Sequence, residues 1–268
     1  MFKRTKSIIA MSVICATPKL YAQEAGRIQA GQFDLIPSFT SSMAYVDNVA
    51  YARDDDPKIY SWRATLSPEL IAATEVDGNP VQVGYRLERG VYFSSDNDDY
   101  TDHFVEASGD FELNSRHRVN AVAQYEDGHE ERGTGFSLGL GTAITTPDRY
   151  KSTYFGGEYM YGAATSDGLL TLKANRETLD YDRSEQAYLI RDRVKNKVGA
   201  ELGYRIGSAT TAVLDVTQTY VRYDNQTGIE TRDSDETRVL LGVTWESTAA
   251  TTGFAKVGYK EKDFESAT

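Results

Sequence analysis

The stretch Val194-Lys-Asn-Lys-Val-Gly-Ala-Glu-Leu-Gly-Tyr-Arg-Ile206 decides the fold class. Val194, Val198, Ala200, Leu202, Tyr204 and Ile206 share one parity, and Lys195, Lys197, Gly199, Glu201, Gly203 and Arg205 share the other. Alternate side chains of an extended chain point to opposite faces, so a strand here has one oily face and one charged face. The same alternation sets Val81, Val83, Tyr85 and Leu87 against Gln82, Gly84, Arg86 and Glu88. It sets Val239, Leu241, Val243 and Trp245 against Arg238, Gly242, Thr244 and Glu246, and Ala255, Val257 and Tyr259 against Lys256, Gly258 and Lys260. Helical spacing is almost nowhere to be found, which points to an all-β chain.

Working outward, about eleven such segments are predicted, at 33–45, 58–75, 80–93, 102–113, 118–126, 151–161, 168–181, 192–206, 211–223, 235–247 and 253–264. Several exceed the usual strand length of about five or six residues. That length suits a tilted strand crossing a bilayer and projecting beyond it. Short connections at 77–79, 114–117, 164–168, 207–210 and 247–252 alternate with long ones at 46–57, 94–101, 127–150, 182–190 and 224–234. Short turns on one side and long loops on the other define an antiparallel transmembrane β-barrel. The alternation requires Phe136–Ile144 to be loop, and the whole 127–150 connection is a candidate gate folding into the mouth.

The first 22 residues read as a secretory signal, and residues 23–268 as the barrel domain. Lys3, Arg4 and Lys6 precede the short apolar run Ser7–Ala16, and Leu20-Tyr21-Ala22 ends in a residue suited to cleavage. Ile14 before Cys15 is the wrong neighbour for lipid attachment. Cleavage removes the chain's one cysteine and leaves a mature domain without disulfides. The pairing of every backbone group around a barrel supplies the missing restraint. No later apolar run reaches the length of a membrane helix. With 40 Asp and Glu against 29 Lys and Arg, the composition excludes a nucleic-acid partner, since phosphate binding demands a basic surface.

Chemistry-bearing motifs are missing. The histidines are His103, His117 and His129, with no metalloprotease, nucleophile-elbow or phosphate-loop pattern. Ser94 or Ser95 beside His103 has no spacing that favours catalysis, so neither an enzyme nor a cofactor is expected. The acidic runs Asp54–Asp56 and Asp96–Asp99 match no EF-hand spacing and read as solvated loops, with divalent-ion bridging to lipid headgroups as the alternative. The remaining candidate site is the polar wall: Arg63, Arg86, Glu88, Glu106, Asp110, Lys173, Lys195, Lys197, Glu201, Arg205, Asp215, Arg238, Lys256 and Lys260 are expected to line a pore.

Several stretches are similar to a known family. Leu35-Ile36-Pro37-Ser38-Phe39 followed by Tyr45-Val46-Asp47-Asn48 resembles the opening of EpsL-like outer-membrane β-barrel porins, as does Ser67-Pro68-Glu69-Leu70. Further echoes are Tyr85–Tyr100, His129–Thr134, Leu179–Asp182 and Thr252–Tyr259. They run in order through nearly all of the mature chain. The resemblance implies an outer-membrane exit for exopolysaccharide or capsular polysaccharide, with outer-membrane lipid, the polymer and periplasmic polysaccharide-export proteins as partners. It supplies no catalytic residues. Family barrels are longer and end on an aromatic residue, so a chain ending Glu265-Ser266-Ala267-Thr268 after an odd-numbered strand reads as truncated. A general diffusion porin and a soluble periplasmic β-sandwich binding a glycan are the competing readings.

Overall fold

A computed structural model describes residues 26–163, 165–182, 191–224, 232–248 and 251–265. The signal sequence proposed for residues 1–22 lies outside them. The strands are β1 (Ile28–Ala30), β2 (Phe33–Val46), β3 (Ser61–Val76), β4 (Asn79–Tyr92), β5 (Tyr100–Asn114), β6 (His117–Glu130), β7 (Asp148–Tyr161), β8 (Gly168–Tyr181), β9 (Arg193–Arg205), β10 (Thr210–Tyr223), β11 (Ser234–Thr248) and β12 (Thr251–Phe264). All are antiparallel neighbours in one sheet whose spatial order follows the sequence.

Eleven of these strands answer to the alternating segments. The addition is β1, three residues that pair Ile28 with Leu35 and Ala30 with Phe33. It is too short to show an alternation, so the sequence pattern misses it. Strand ends also shift: β3 begins at Ser61 rather than residue 58, while β6 runs on to Glu130 and β7 starts at Asp148. The long connection therefore shrinks from 127–150 to 131–147. Phe136–Ile144 forms no strand there, and a 3-10 turn sits at Gly135–Ser137.

The two-residue hairpin between β3 and β4 shows how local chemistry sets register. Asp77 and Gly78 adopt φ of 51° and 77°, the left-handed pair that a two-residue hairpin turn requires. Asn79 supports the turn by donating from Nδ2 to the Val76 carbonyl at 3.1 Å. Register fixed at this turn then carries through β3 and β4, where Glu69 faces Arg86 and Arg63 faces Tyr92.

The sheet curls toward its polar face. Lys256 on β12 donates to Glu201 on β9 at 2.7 Å. Two strands lie between them, which on a flat sheet means a separation of roughly 14 Å from strand spacing alone. Side chains standing upright on a flat sheet would not meet across it. Curvature also brings Arg63 on β3 to Glu131, just beyond β6, at 2.7 Å. The charged face is thus concave and the apolar face convex.

The convex face is dressed for lipid. Leu66, Leu70, Val83, Val198, Leu202, Leu241 and Val257 project from it, each 45% exposed or more. Tyr45, Trp62 and Tyr220 stand near the loop ends of their strands, and Tyr159, Tyr161, Tyr204 and Trp245 near the turn ends. Aromatic rings near both strand ends suit the interfacial girdles of a membrane barrel, with Phe39, Tyr85 and Phe155 among the aliphatic side chains between them. Most charged residues of this face gather toward the loop ends, at Arg89, Asp127, Arg149, Lys151, Asp180, Arg222 and Asp235, with Arg176 nearer mid-strand on β8. The strands thus extend past the apolar zone on the loop side. In a water-soluble sandwich such an apolar face would be covered by a second sheet, and among the described residues all strands belong to one sheet.

Register can be tested directly. Leu241→Arg places a cation on the lipid face at mid-strand and is expected to destabilise the folded protein by roughly 2–4 kcal/mol. Thr244→Arg, on the concave face, is expected to fold normally. Heat-modified mobility in detergent and urea unfolding in lipid vesicles report both, and equal behaviour of the two variants would contradict the assigned faces.

Candidate functional site: a charged concave wall and its docked loop

The strand ladders put every residue proposed as pore-lining on the same face. Arg63 pairs across to Tyr92, Arg86 to Phe104, and Glu88 to Asp102. Glu106 pairs to Gln124, Asp110 to Asn120, and Lys173 to Gly199. Lys195, Lys197, Glu201 and Arg205 follow on β9, Asp215 on β10, Arg238 on β11, and Lys256 and Lys260 on β12, all on the same face through the ladders. The concavity argument places that shared face inward.

Most of these charges are held by neighbours. Arg86 meets Glu88 at 3.0 Å, Lys173 meets Glu158 at 3.4 Å and Lys195 meets Glu177 at 3.5 Å. Arg238 reaches Asp215 at 3.3 Å, and Lys260 reaches Glu236 at 2.8 Å. Glu106 accepts from Gln124 Nε2 at 2.7 Å, and Asp110 accepts from Asn120. Partly exposed pairs of this kind contribute only about 0–1 kcal/mol each. Their effect is to keep a wall of charge hydrated without any single tight site. Among the described residues Lys197 makes no ion pair within 4 Å, and it borders a cavity of about 430 Å³ with Asp110, Glu158 and Lys173. Arg205 sits at the turn end of β9.

Sequence reasoning missed the residues that fasten the 131–147 loop. Glu131 accepts from Arg63 at 2.7 Å and from the Tyr51 hydroxyl at 2.9 Å. Partial burial, and then the Glu131 hydrogen bond, push the Tyr51 phenol above its ordinary value of 10.0. This contact is therefore fully present below pH 10 and is lost only as pH rises through the shifted value. Arg132 is buried, with Nε donating to Asp98 Oδ1 at 2.6 Å, Nη2 donating to Asp98 Oδ2, and Nη1 donating to the Ile144 carbonyl at 3.1 Å. A glycine at 133 (φ +75°) lets the chain pass against Ala50, where a Cβ would collide with the Ala50 carbonyl oxygen. On the other flank, Glu130 accepts from the Tyr181 hydroxyl at 2.7 Å and from Arg191 at 2.9 Å, and the Arg191 guanidinium stacks over the Tyr181 ring. The loop is thus fastened on the β3 side and to the 96–99 turn, while Glu130 at the end of β6 is tied to Tyr181 and Arg191. Gly135 borders a cavity of about 540 Å³ beneath it, lined also by Glu126, Tyr150 and Tyr181.

The 96–99 run corrects the solvated-loop expectation. Asp98 is 3% exposed and holds Arg132, while Asp99 accepts the Tyr92 backbone N–H at 2.8 Å and pairs with Arg89 at the same distance. Two further loops repeat this carboxylate cap, Asp192 on the Tyr181 N–H and Asp233 on the Tyr223 N–H, each at 2.8 Å. Sequence offered a faint signal in the recurrence of a strand-ending tyrosine and a loop-ending aspartate. Of the histidines, His129 bonds Asp102 at 2.8 Å and stacks on Tyr100, His103 meets Tyr85, and His117 meets Tyr159. Among the described residues no group of three or more His, Cys, Asp or Glu is placed to hold a metal ion.

Arg132→Ala leaves Asp98 buried without its cation, a change that costs about 3 kcal/mol or more. The expected result is release of the loop rather than global unfolding. Limited proteolysis should cut within 131–147 much faster in the variant, with heat-modified mobility retained. Unchanged cleavage would show that the pair does not fasten the loop.

No curated protein matches the chain. Among solved structures it resembles OmpTdeltaL8, a loop L8 deletion mutant of OmpT, an outer membrane protein of Vibrio cholerae. The identity is 14%, the match covers 87% of this chain and 95% of that one, and the TM-score is 0.38. No residue role is transferred across so distant a likeness. A family model described as "Putative beta-barrel porin 2" matches residues 22–268, nearly the whole sequence and every strand of the sheet. With that match over a sheet whose oily face is convex and whose charged face is concave, the chain belongs to this β-barrel porin family.

Proposed function

We propose that this porin is the outer-membrane passage for an exopolysaccharide or capsular polysaccharide. In this reading it reaches the membrane through the signal at residues 1–22 and works with periplasmic polysaccharide-export proteins. One observation carries it: the concave wall is covered by dispersed, mutually paired charges of both signs. A long polymer must slide without being held, and that needs many weak polar contacts rather than one deep site. A selective small-ion pathway calls for a ring of like charge at a constriction, whereas here both signs share the concave face and most charges have a partner of opposite sign. The 131–147 loop, fastened through Glu131 to Arg63 and Tyr51 and through Arg132 to Asp98, is the gate in this scheme. The convex face meets outer-membrane lipid.

The passive diffusion porin is the competing reading, because a loop docked in the mouth would also narrow a general pore. Surface polymer should disappear when the gene is deleted and return with the intact gene, while uptake of small sugars and antibiotics stays unchanged. Normal surface polymer together with lost small-solute permeability would establish the diffusion porin instead.

A further inference from the structure

The charges of the concave wall are not evenly mixed around the sheet. On β5 and β6 that face presents Glu106, Asp110, Glu112, Glu126 and Glu130, with Arg118 as the cation. On β9 it presents Arg193, Lys195, Lys197 and Arg205, and on β12 Lys256, Lys260 and Lys262, against Glu201 as the carboxylate. The intervening acids are Asp215, Glu236 and Glu246; Arg238 and Lys260 engage the first two, so the three temper the cationic half without reversing it. Curvature aims both halves into the same concave space. Charges lining a low-dielectric wall focus the field there, and a polarised wall offers an anion one favourable side.

A second feature coincides with the cationic half. Phe254 and Phe264 stand on the concave face at the two ends of β12, 72% and 60% exposed, with the lysines of that strand between them. Tyr223 adds a ring at the loop end of β10. Aromatic faces suit the apolar faces of sugar rings, and ammonium groups between them suit carboxylate or phosphate substituents. Between β11 and β12, Gly242 and Gly258 leave the backbone bare on this side, where a Cβ would strike the neighbouring strand. The lysines therefore border a smooth channel floor.

We infer that the cargo is an anionic glycan, carrying carboxylate or phosphate groups, that travels along the β9–β12 side of the wall and is kept off the β5–β6 side. The inference rests on the polysaccharide reading above and names the chemical class within it. The acidic half has its own part, since repulsion there prevents the polymer from bridging the lumen and stalling.

The test uses the full-length protein in planar bilayers, with ion current interrupted by added oligosaccharide. The probes are short oligogalacturonates, which are anionic, and dextran fragments of matching length, which are neutral. The anionic probe should dwell roughly tenfold longer, as weak charge contacts acting together would give. Lys195→Glu/Lys197→Glu/Lys260→Glu should abolish the difference, and Arg176→Gln on the convex face should preserve it. Raising salt from about 0.1 M to about 1 M shortens the Debye length from about 10 Å to about 3 Å and should shorten the anionic dwell on the unaltered protein. This salt arm decides the matter if the triple variant fails to assemble. Equal dwell for both probes, or an anionic dwell indifferent to salt, overturns the anionic cargo while leaving polysaccharide passage standing. If neither probe interrupts the current, the polysaccharide reading itself falls, and the inference with it.

Discussion

Backbone hydrogen bonding in hydrocarbon is the constraint on which everything else here depends. A strand in lipid has no water to satisfy its N–H and C=O groups, so each must pair with a neighbour. The chain meets this by laying its strands side by side in sequence order, every connection a hairpin. Sequential hairpins keep the register local, and the Asp77-Gly78 turn shows how two left-handed residues set it. Once register is set, period-two alternation does the rest: all odd or all even positions of a strand share a fate, and lipid and lumen receive different chemistry from one short repeat.

Loop architecture follows from a different balance. Long connections cannot bury an apolar core under a membrane sheet, so they are held by polar contacts. Arg132 with Asp98, Glu131 with Arg63 and Tyr51, and Glu130 with Arg191 and Tyr181 all join residues far apart in sequence. Buried charge survives there only because each group has its partner within hydrogen-bond reach. The same contacts give the mouth its shape. The loop is stapled to β3 through Arg63 and to the 96–99 turn through Asp98, while Glu130 at the end of β6 holds Tyr181 at the end of β8.

The wall and the mouth thus divide the work. Exposed pairs along the wall are individually weak, which suits transit, whereas the buried Arg132–Asp98 pair at the mouth is costly to break, which suits control. Segregation of sign between β5–β6 and β9–β12 adds direction to a surface that is otherwise evenly polar.

What the sequence determined by itself is the fold class, the long strands to within a few residues, the alternation of short turns and long loops, and the sidedness of each wall residue. All of these follow from short-range rules: period two, turn chemistry and length. Val194–Ile206 already separates Lys197 and Glu201 from Val198 and Leu202. The three-residue β1 escaped because three residues are too few to show a period. Which charges meet was decided by tertiary structure alone. Lys256 finds Glu201 only because the sheet curls, and Arg132 finds Asp98 only because the loop folds back. The acidic run at 96–99 looked like a solvated loop because its cation lies more than thirty residues away in sequence. The grouping of cations on β9 and β12 is likewise invisible along the chain, since two strands intervene and only curvature turns their side chains into one space.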